Sequence, residues 1–311
     1  MPSDAGRLPG TPSSGQPAPD PNGTDHSPPP APSDRRPLIE GLLATGAGNI
    51  NNACVKLLAV MPTSQLILLR AVGTIFILLP LMIRRGLRWP PRVVLARAAL
   101  EAVATAGLMH ALTLAPLSFV ATVMMTIPIG VMAMNWLLAG EPLSPRGRIL
   151  LLLAFSGALI ATGPALAGSM EGALSAIGSA AFYVARDMLT SRRASTVPSL
   201  ELSFTASVAT LILAFAMGVV GDWRPLVPGE TGIIAAMIVF YILSNLLIAS
   251  ATRARRSTMV AATRYSAVIW AALFDFLLFD LPPRPLTLVG AALIAACGIG
   301  LVFTERKRRG P

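Results

Sequence analysis

The chain has 311 residues, 54% of them hydrophobic and only 13% charged, which is far from the balance of an average soluble domain. Its formal net charge of +10 comes from 23 arginines and two lysines set against 15 acidic residues. A disulfide framework is excluded, because the only cysteines, Cys54 and Cys297, lie within apolar runs.

Residues 1–37 contain eleven prolines with Gly, Ser, Asp and Asn between them and no apolar run to bury, so a disordered cytoplasmic tail is expected. It has no basic segment followed by an apolar one, hence no secretory signal, and the first span must direct insertion itself. An inert extension and a partner-binding tail are both open.

Ten apolar stretches follow: 38–58, 64–83, 93–112, 118–138, 149–166, 172–189, 202–220, 231–250, 258–278 and 287–303. Each is close to the ~20 residues that cross ~30 Å of hydrocarbon. They are continuous rather than alternating, which predicts helices and not a barrel. The fold class expected is an all-α integral membrane protein of ten transmembrane helices.

Arginine and lysine fall in every second gap. Arg35, Arg36, Arg84, Arg85, Arg88, Arg92, Arg146, Arg148, Arg192, Arg193, Arg253, Arg255, Arg256 and the run 306–309 make seventeen basic residues on one side, against Arg224 and Arg284 on the other. The positive-inside rule then puts both termini in the cytoplasm. The net charge is an orientation signal facing anionic lipid, and no nucleic-acid partner is needed to explain it.

Polar groups inside the spans carry the chemistry, since an ionisable side chain near the bilayer centre costs roughly 3 kcal/mol on insertion scales unless it faces a cavity or a partner. Asn51, Asn52 and Lys56 lie toward the outer end of the first span, and Lys56 either snorkels outward or serves the interior. Arg70 in the second span either binds a carboxylate or pairs with a neighbour. Glu101, eight residues into the third span, has Arg97 one turn back; it is either half of a structural ion pair or a buried carboxyl that takes and releases a proton. Arg186 and Asp187 are adjacent and should point to different faces. Arg264 has no acid within one turn, which makes it the first choice for a substrate contact, with Tyr265, Asn245, Asn135 and Trp270 completing the lining. Cationic side chains outnumber acidic ones in the spans, which favours solutes bearing a carboxylate, a phosphate or an electron-rich ring.

Ten spans also divide into two sets of five. A shift of 139 lays Ser118 on Ser257, Ala133 on Ala272, Leu138 on Leu277 and Glu141 on Asp280, and SGALIATG from Ser156 matches GAALIAACG from Gly290 in kind. Five being odd, the second set crosses the membrane in the opposite sense, as in transporters built from inverted repeats.

With these features the chain resembles the drug/metabolite transporter superfamily, EamA type. The resemblance rests on the loops LLAGEPLSPRG (from Leu137) and LLFDLPPRPL (from Leu277), on Pro128 in the fourth span, and on MPTSQLILLRAVG (from Met61) and VARDMLTSRR (from Val184). It covers about Pro37 to Lys307, so that the chain is expected to divide into the tail over 1–37, five-helix repeats over 38–168 and 169–304, and a basic C-terminus over 305–311. Asp280 stands where the family usually has Glu, and Ala267 where the first repeat has Pro128. A bacterial inner-membrane carrier is implied that moves a small polar metabolite by alternating access: an amino acid, a vitamin such as riboflavin, or a nucleoside-like compound such as S-adenosylmethionine.

Substrate-binding candidates are Arg264, Tyr265, Arg70, Asn52, Arg186, Asn245 and Trp270, with Glu101 for proton coupling. Partners expected are the metabolite and the bilayer, for a monomer or homodimer. No GxxxxGK[ST] is present, and no catalytic, metal or cofactor site is expected. VKLL (from Val55) with Arg70 resembles uptake-type members. Drug efflux ranks lower, because the first span has only Glu40, at its edge. An intramembrane enzyme would need convergent nucleophile or metal chemistry, and the only histidines are His26 and His110. A non-transporting scaffold ranks with it.

Overall fold

The computed structural model describes residues 36–86, 89–140, 144–193, 196–217, 223–253 and 263–309. The tail expected over 1–37 lies outside them apart from its last two residues, as do Glu141, Arg88, Arg255, Arg256 and Ser257. Every regular element among the described residues is helical: α1 Arg36–Leu57, α2 Thr63–Arg85, α3 Arg92–Leu114, α4 Leu117–Met124, α5 Thr126–Ala139, α6 Pro145–Gly168, α7 Met170–Arg193, α8 Ser199–Ala216, α9 Pro228–Arg253, a 3₁₀ turn Arg264–Ser266, α10 Ala267–Phe279 and α11 Pro285–Arg309.

Helices α4 and α5 are two halves of one rod broken at Met125, and the 3₁₀ turn opens the rod of α10. The described elements therefore group into ten rods at the ten predicted stretches. Five are long and apolar enough to cross a membrane on length and composition alone: α2, α3, the α4–α5 rod, α8 and α9. Two that fall short, α1 and α7, do so because they carry Asn49, Asn51, Asn52 and Lys56, and Arg186 and Asp187. Large apolar side chains such as Phe76, Leu152 and Leu159 stand exposed on the outside of the bundle, as lipid contact requires.

Packing repeats with a period of five rods. Helices α6 and α11 pack together, as do α2 and α8, and α4 and α10; each of these pairs is a rod and the rod five places on. The remaining contacts exchange: α1 packs on α9 and α7 on α3, α3 packs on α8 and, less extensively, α9 on α2, while α5 touches α7 and α1 touches α10. This is the pattern of two related halves about a pseudo-two-fold axis.

The register between the halves is 140 residues at the fourth and ninth rods, which corrects the shift of 139. Thr126 Oγ1 donates to Val123 O and Ser266 Oγ to Thr263 O, both at 2.7 Å. Gly140, in the left-handed region at φ 65°, ends α5 with its N–H on Asn135 O; Asp280, at φ 50°, ends α10 with its N–H on Asp275 O. Asp280 thus corresponds to Gly140, not to Glu141. Chance identities between apolar helices had allowed the one-residue slip. Pro128 removes one i→i−4 bond at the α4–α5 break, and in the second half the hydroxyl of Ser266 competes for the backbone at the same place without a proline.

Small residues let the paired rods approach. A Cβ on Gly290 would lie 2.5 Å from Gly157 O, and one on Gly157 3.0 Å from Gly290 O, so the matching small-residue stretches are the surfaces by which α6 and α11 meet. Ser175 and Ser179 of α7 donate to Gly107 O and Ala104 O of α3 (2.9 and 2.6 Å), and Ser244 of α9 donates to Ala44 O of α1 (2.8 Å). Gly290→Leu is expected to cost about 1–3 kcal/mol by overpacking. It should lower the melting temperature in detergent, whereas Gly178→Ala, where a Cβ meets nothing within 4 Å, should leave it near wild type. Equal melting curves for the two variants would refute the close contact.

Candidate functional site

A cavity of about 290 Å³ lies between the two halves. Thr45, Asn49 and Asn52 reach it from one stripe of α1, at spacings of four and three residues. Glu101 enters from α3, Tyr183 and Arg186 from α7, Tyr241 and Asn245 from α9, and Met125 and Pro128 mark the break of the fourth rod. Arg264 stands at the matching irregularity of the ninth. Both breaks face the cavity, where irregular backbone is tolerated at membrane depth.

Glu101 is nine residues beyond Arg92 and Arg186 seven before Arg193, so both lie roughly 10–14 Å from the arginine-rich helix ends at 1.5 Å per residue. Asn52 and Leu108, each sixteen residues from Arg36 and Arg92, line it too, so the cavity extends from the charged residues past the middle of the bundle.

Five charged side chains form an alternating series, of which Glu101, Arg186 and Arg264 line the cavity. Arg97 NH1 is 2.5 Å from Glu101 Oε2, and Arg186 NH1 is 3.3 Å from Glu101 Oε1. Arg186 NH2 is 2.5 Å from Asp187 Oδ1, and Arg264 NH1 is 4.0 Å from Asp187 Oδ2. Three guanidinium groups and two carboxylates leave one positive charge over. Arg97 is further held by Thr190 Oγ1 and Leu202 O (3.1 and 3.3 Å). Burial falls along the series: Arg97 and Glu101 side chains are about a tenth exposed, while Arg264 is 43% exposed and has the longest pairing distance. The surplus charge is therefore at Arg264, inside the cavity.

Two tyrosines complete the wall. The Arg186 guanidinium lies 4.6 Å above the Tyr183 ring and that of Arg70 4.5 Å above the Tyr241 ring. Tyr183 Oη is 3.1 Å from Thr105 Oγ1.

Of the residues expected at the site, Arg264, Arg186, Asn52, Asn245 and Glu101 line the cavity together. Arg70 is buried behind Tyr241. Tyr265 is turned toward α11, where a Cβ on Gly298 would overlap its hydroxyl. Trp270 packs against Gly46 and Phe274. Asn135 is at the basic end of α5, accepting from Arg192 NH2 at 3.0 Å. The Arg97–Glu101 pair forms as its spacing suggested. Arg186 and Asp187 converge instead of diverging, and Lys56 is paired with Asp275 rather than snorkelling.

Tyr183, Tyr241, Thr45 and Asn49 were not singled out from sequence. Their spacing carried the signal: Tyr183 is three residues before Arg186, Tyr241 four before Asn245, and Thr45, Asn49 and Asn52 share a stripe.

An all-helical bundle with lipid-facing apolar side chains, two related halves and a charged cavity between them is a membrane transporter. Residues 170–304 match the EamA-like transporter family. The chain is 28% identical over 284 residues to the pseudopaline exporter CntI of Pseudomonas aeruginosa strain PAO1, across 86% of this chain and 96% of that one. The same figures hold for the pseudopaline exporter CntI of strain UCBPP-PA14. A solved crystal structure of 18% sequence identity shares the fold with a TM-score of 0.61, covering 88% of this chain and 98% of the other.

Breaking the series at its centre should differ from breaking it at its end. Arg186→Gln leaves Asp187 with only its long contact to Arg264 and one side of Glu101 uncompensated, and is expected to cost about 3–5 kcal/mol, seen as a lower melting temperature in detergent. Arg264→Gln should melt near wild type. The reverse order would contradict the burial gradient.

Proposed function

We propose that this protein is a secondary transporter of the bacterial inner membrane that exports a small polar metabolite bearing a carboxylate, working by alternating access. The observation that carries the reading is the alternating series that ends in a half-exposed arginine within the cavity. A carboxylate there extends the alternation by one more charge and replaces the long contact to Asp187 with a bidentate one. Planar parts of the solute stack on Tyr183 and Tyr241, and Asn52 and Asn245 supply hydrogen bonds. A lipophilic cation would meet Arg264 and Arg186 first.

Export is supported by the similarity to pseudopaline exporters, and the arginine-rich helix ends give the side from which the solute would be taken up. The positive-inside rule assigns those ends to the cytoplasm. Amino acids and related carboxylates rank ahead of the riboflavin-like and S-adenosylmethionine-like substrates and of drug efflux. Glu101 remains the candidate for coupling to a proton gradient, because it holds Arg186 and faces the cavity at once.

Counterflow in proteoliposomes tests the substrate class. Radiolabelled amino acids and small carboxylates should exchange through wild type, with Arg264→Gln and Glu101→Gln each reducing the rate by roughly 10–100-fold, as for loss of a charge-assisted contact. Exchange of cationic dyes alone, unchanged in Arg264→Gln, would move drug efflux to first place. Orientation is tested separately: cysteine at Gly86 should react with an impermeant maleimide only in inside-out vesicles, and cysteine at Val227 only in intact cells.

A further inference from the structure

One buried acid stands apart from the cavity series. Asp275, on α10, is wholly buried in an apolar rod. Its carboxylate accepts the N–H groups of Leu117 (3.0 Å) and Ser118 (2.7 Å), the first turn of α4, where Pro116 supplies no side-chain cap. Lys56 Nζ, from the end of α1, is 3.4 Å from Asp275 Oδ1, donates to Ala115 O at 3.0 Å, and lies 4.9 Å from the Phe279 ring centroid. One carboxylate and one ammonium thus tie α1, the α3–α4 turn and α10 together at the end of the bundle away from the arginine-rich side.

The two-fold relation supplies the second observation. Lys56 is the next-to-last residue of α1, and Arg192 the next-to-last of α7. Asp275 precedes the left-handed Asp280 by five residues, as Asn135 precedes Gly140. Arg192 NH2 donates to Asn135 Oδ1 at 3.0 Å. The same cross-link, from the end of the first helix of one half to the fourth rod of the other half, therefore occurs at both ends of the bundle. At one end it is a buried carboxylate with an ammonium and two helix N–H donors; at the other it is a neutral amide with an exposed arginine.

We infer that Lys56–Asp275 is the outer gate of the transport cycle, that Arg192–Asn135 is its inner counterpart, and that their unequal chemistry holds the resting protein closed outside. This rests on the transporter reading above and adds which residues set the side from which the cavity is reached. Alternating access requires one end to part while the other closes. A charged, desolvated link with three donors on one carboxylate resists parting more than an amide–guanidinium contact in water does. The carboxylate that caps α4 also connects the gate to the Met125 break at the other end of that eight-residue helix, on the cavity wall. Asp275 and Lys56 are positioning residues here; neither needs to touch the solute.

Exchanging the two chemistries tests the inference without a substrate. In a background with Cys54→Ala and Cys297→Ala, the reporter Leu108→Cys on the cavity wall is labelled with an impermeant maleimide in intact cells and in inside-out vesicles. Asp275→Asn, which gives the outer link the inner link's chemistry, should speed labelling in intact cells on the order of tenfold. Asn135→Asp, which gives the inner link a carboxylate opposite Arg192, should slow labelling in inside-out vesicles and speed it in intact cells.

Elution on size-exclusion chromatography establishes that each variant is folded. If Asp275→Asn aggregates, Asn135→Asp decides alone, since it alters only an exposed contact. Folded variants that label at the wild-type rate from both sides would overturn the gate and leave Asp275 a helix cap. Absence of counterflow in the wild type would instead sink the transporter reading, which the labelling rates do not address.

Discussion

Hydrocarbon cannot solvate charge, and that single constraint arranges the interior of this protein. Arg97, Glu101, Arg186, Asp187 and Arg264 are held in alternation because each would otherwise be exposed to a medium with nothing to offer it. The series can end in a surplus charge only where water reaches, so its most exposed and most loosely paired end coincides with the cavity at Arg264. Tyr183 and Tyr241 serve the same constraint by placing ring faces against the guanidinium groups of Arg186 and Arg70.

The duplicated architecture turns this local pairing into a mechanism. Rods related by the repeat pack on one another at α6 and α11, through backbone brought close by Gly157 and Gly290, while α1, α3, α7 and α9 carry the polar residues and are joined across the halves by serine hydroxyls on main-chain carbonyls. The fourth and ninth rods are interrupted at corresponding positions, each with a hydroxyl bonded three residues back. Interruption there depends on the cavity, because freed carbonyls beside lipid would be costly.

Span positions, the arginine asymmetry and the duplication were legible in the sequence because each is a pattern along the chain. So was the Arg97–Glu101 pair, whose partners are one helical turn apart. What was not legible involves partners far apart in sequence. Asp187 reaches Arg264 from another helix, and Asp275 receives Lys56 and the α4 N-terminus from the opposite half. Helices apolar on nearly every face also give little sign of which face is turned inward. Tyr265 illustrates this: one residue from Arg264, it was placed in the site but fits the space left by Gly298. The 139-residue register failed by a single position for the same reason.

The weak hydropathy of α1 and α7 bears on how the chain is assembled. Their polar side chains reduce the apolar surface each presents to lipid, so each is stabilised by a neighbour that accepts those side chains. Helix α7 finds that neighbour at once, since α3 precedes it in the chain and offers Gly107 O, Ala104 O and Glu101. Helix α1 waits for α9, which is synthesised almost two hundred residues later and brings the Ser244 hydroxyl to Ala44 O. During biogenesis the second half thus docks onto a partner already in place, whereas the first half is completed only when the second is nearly finished, and its first helix is the last to be secured.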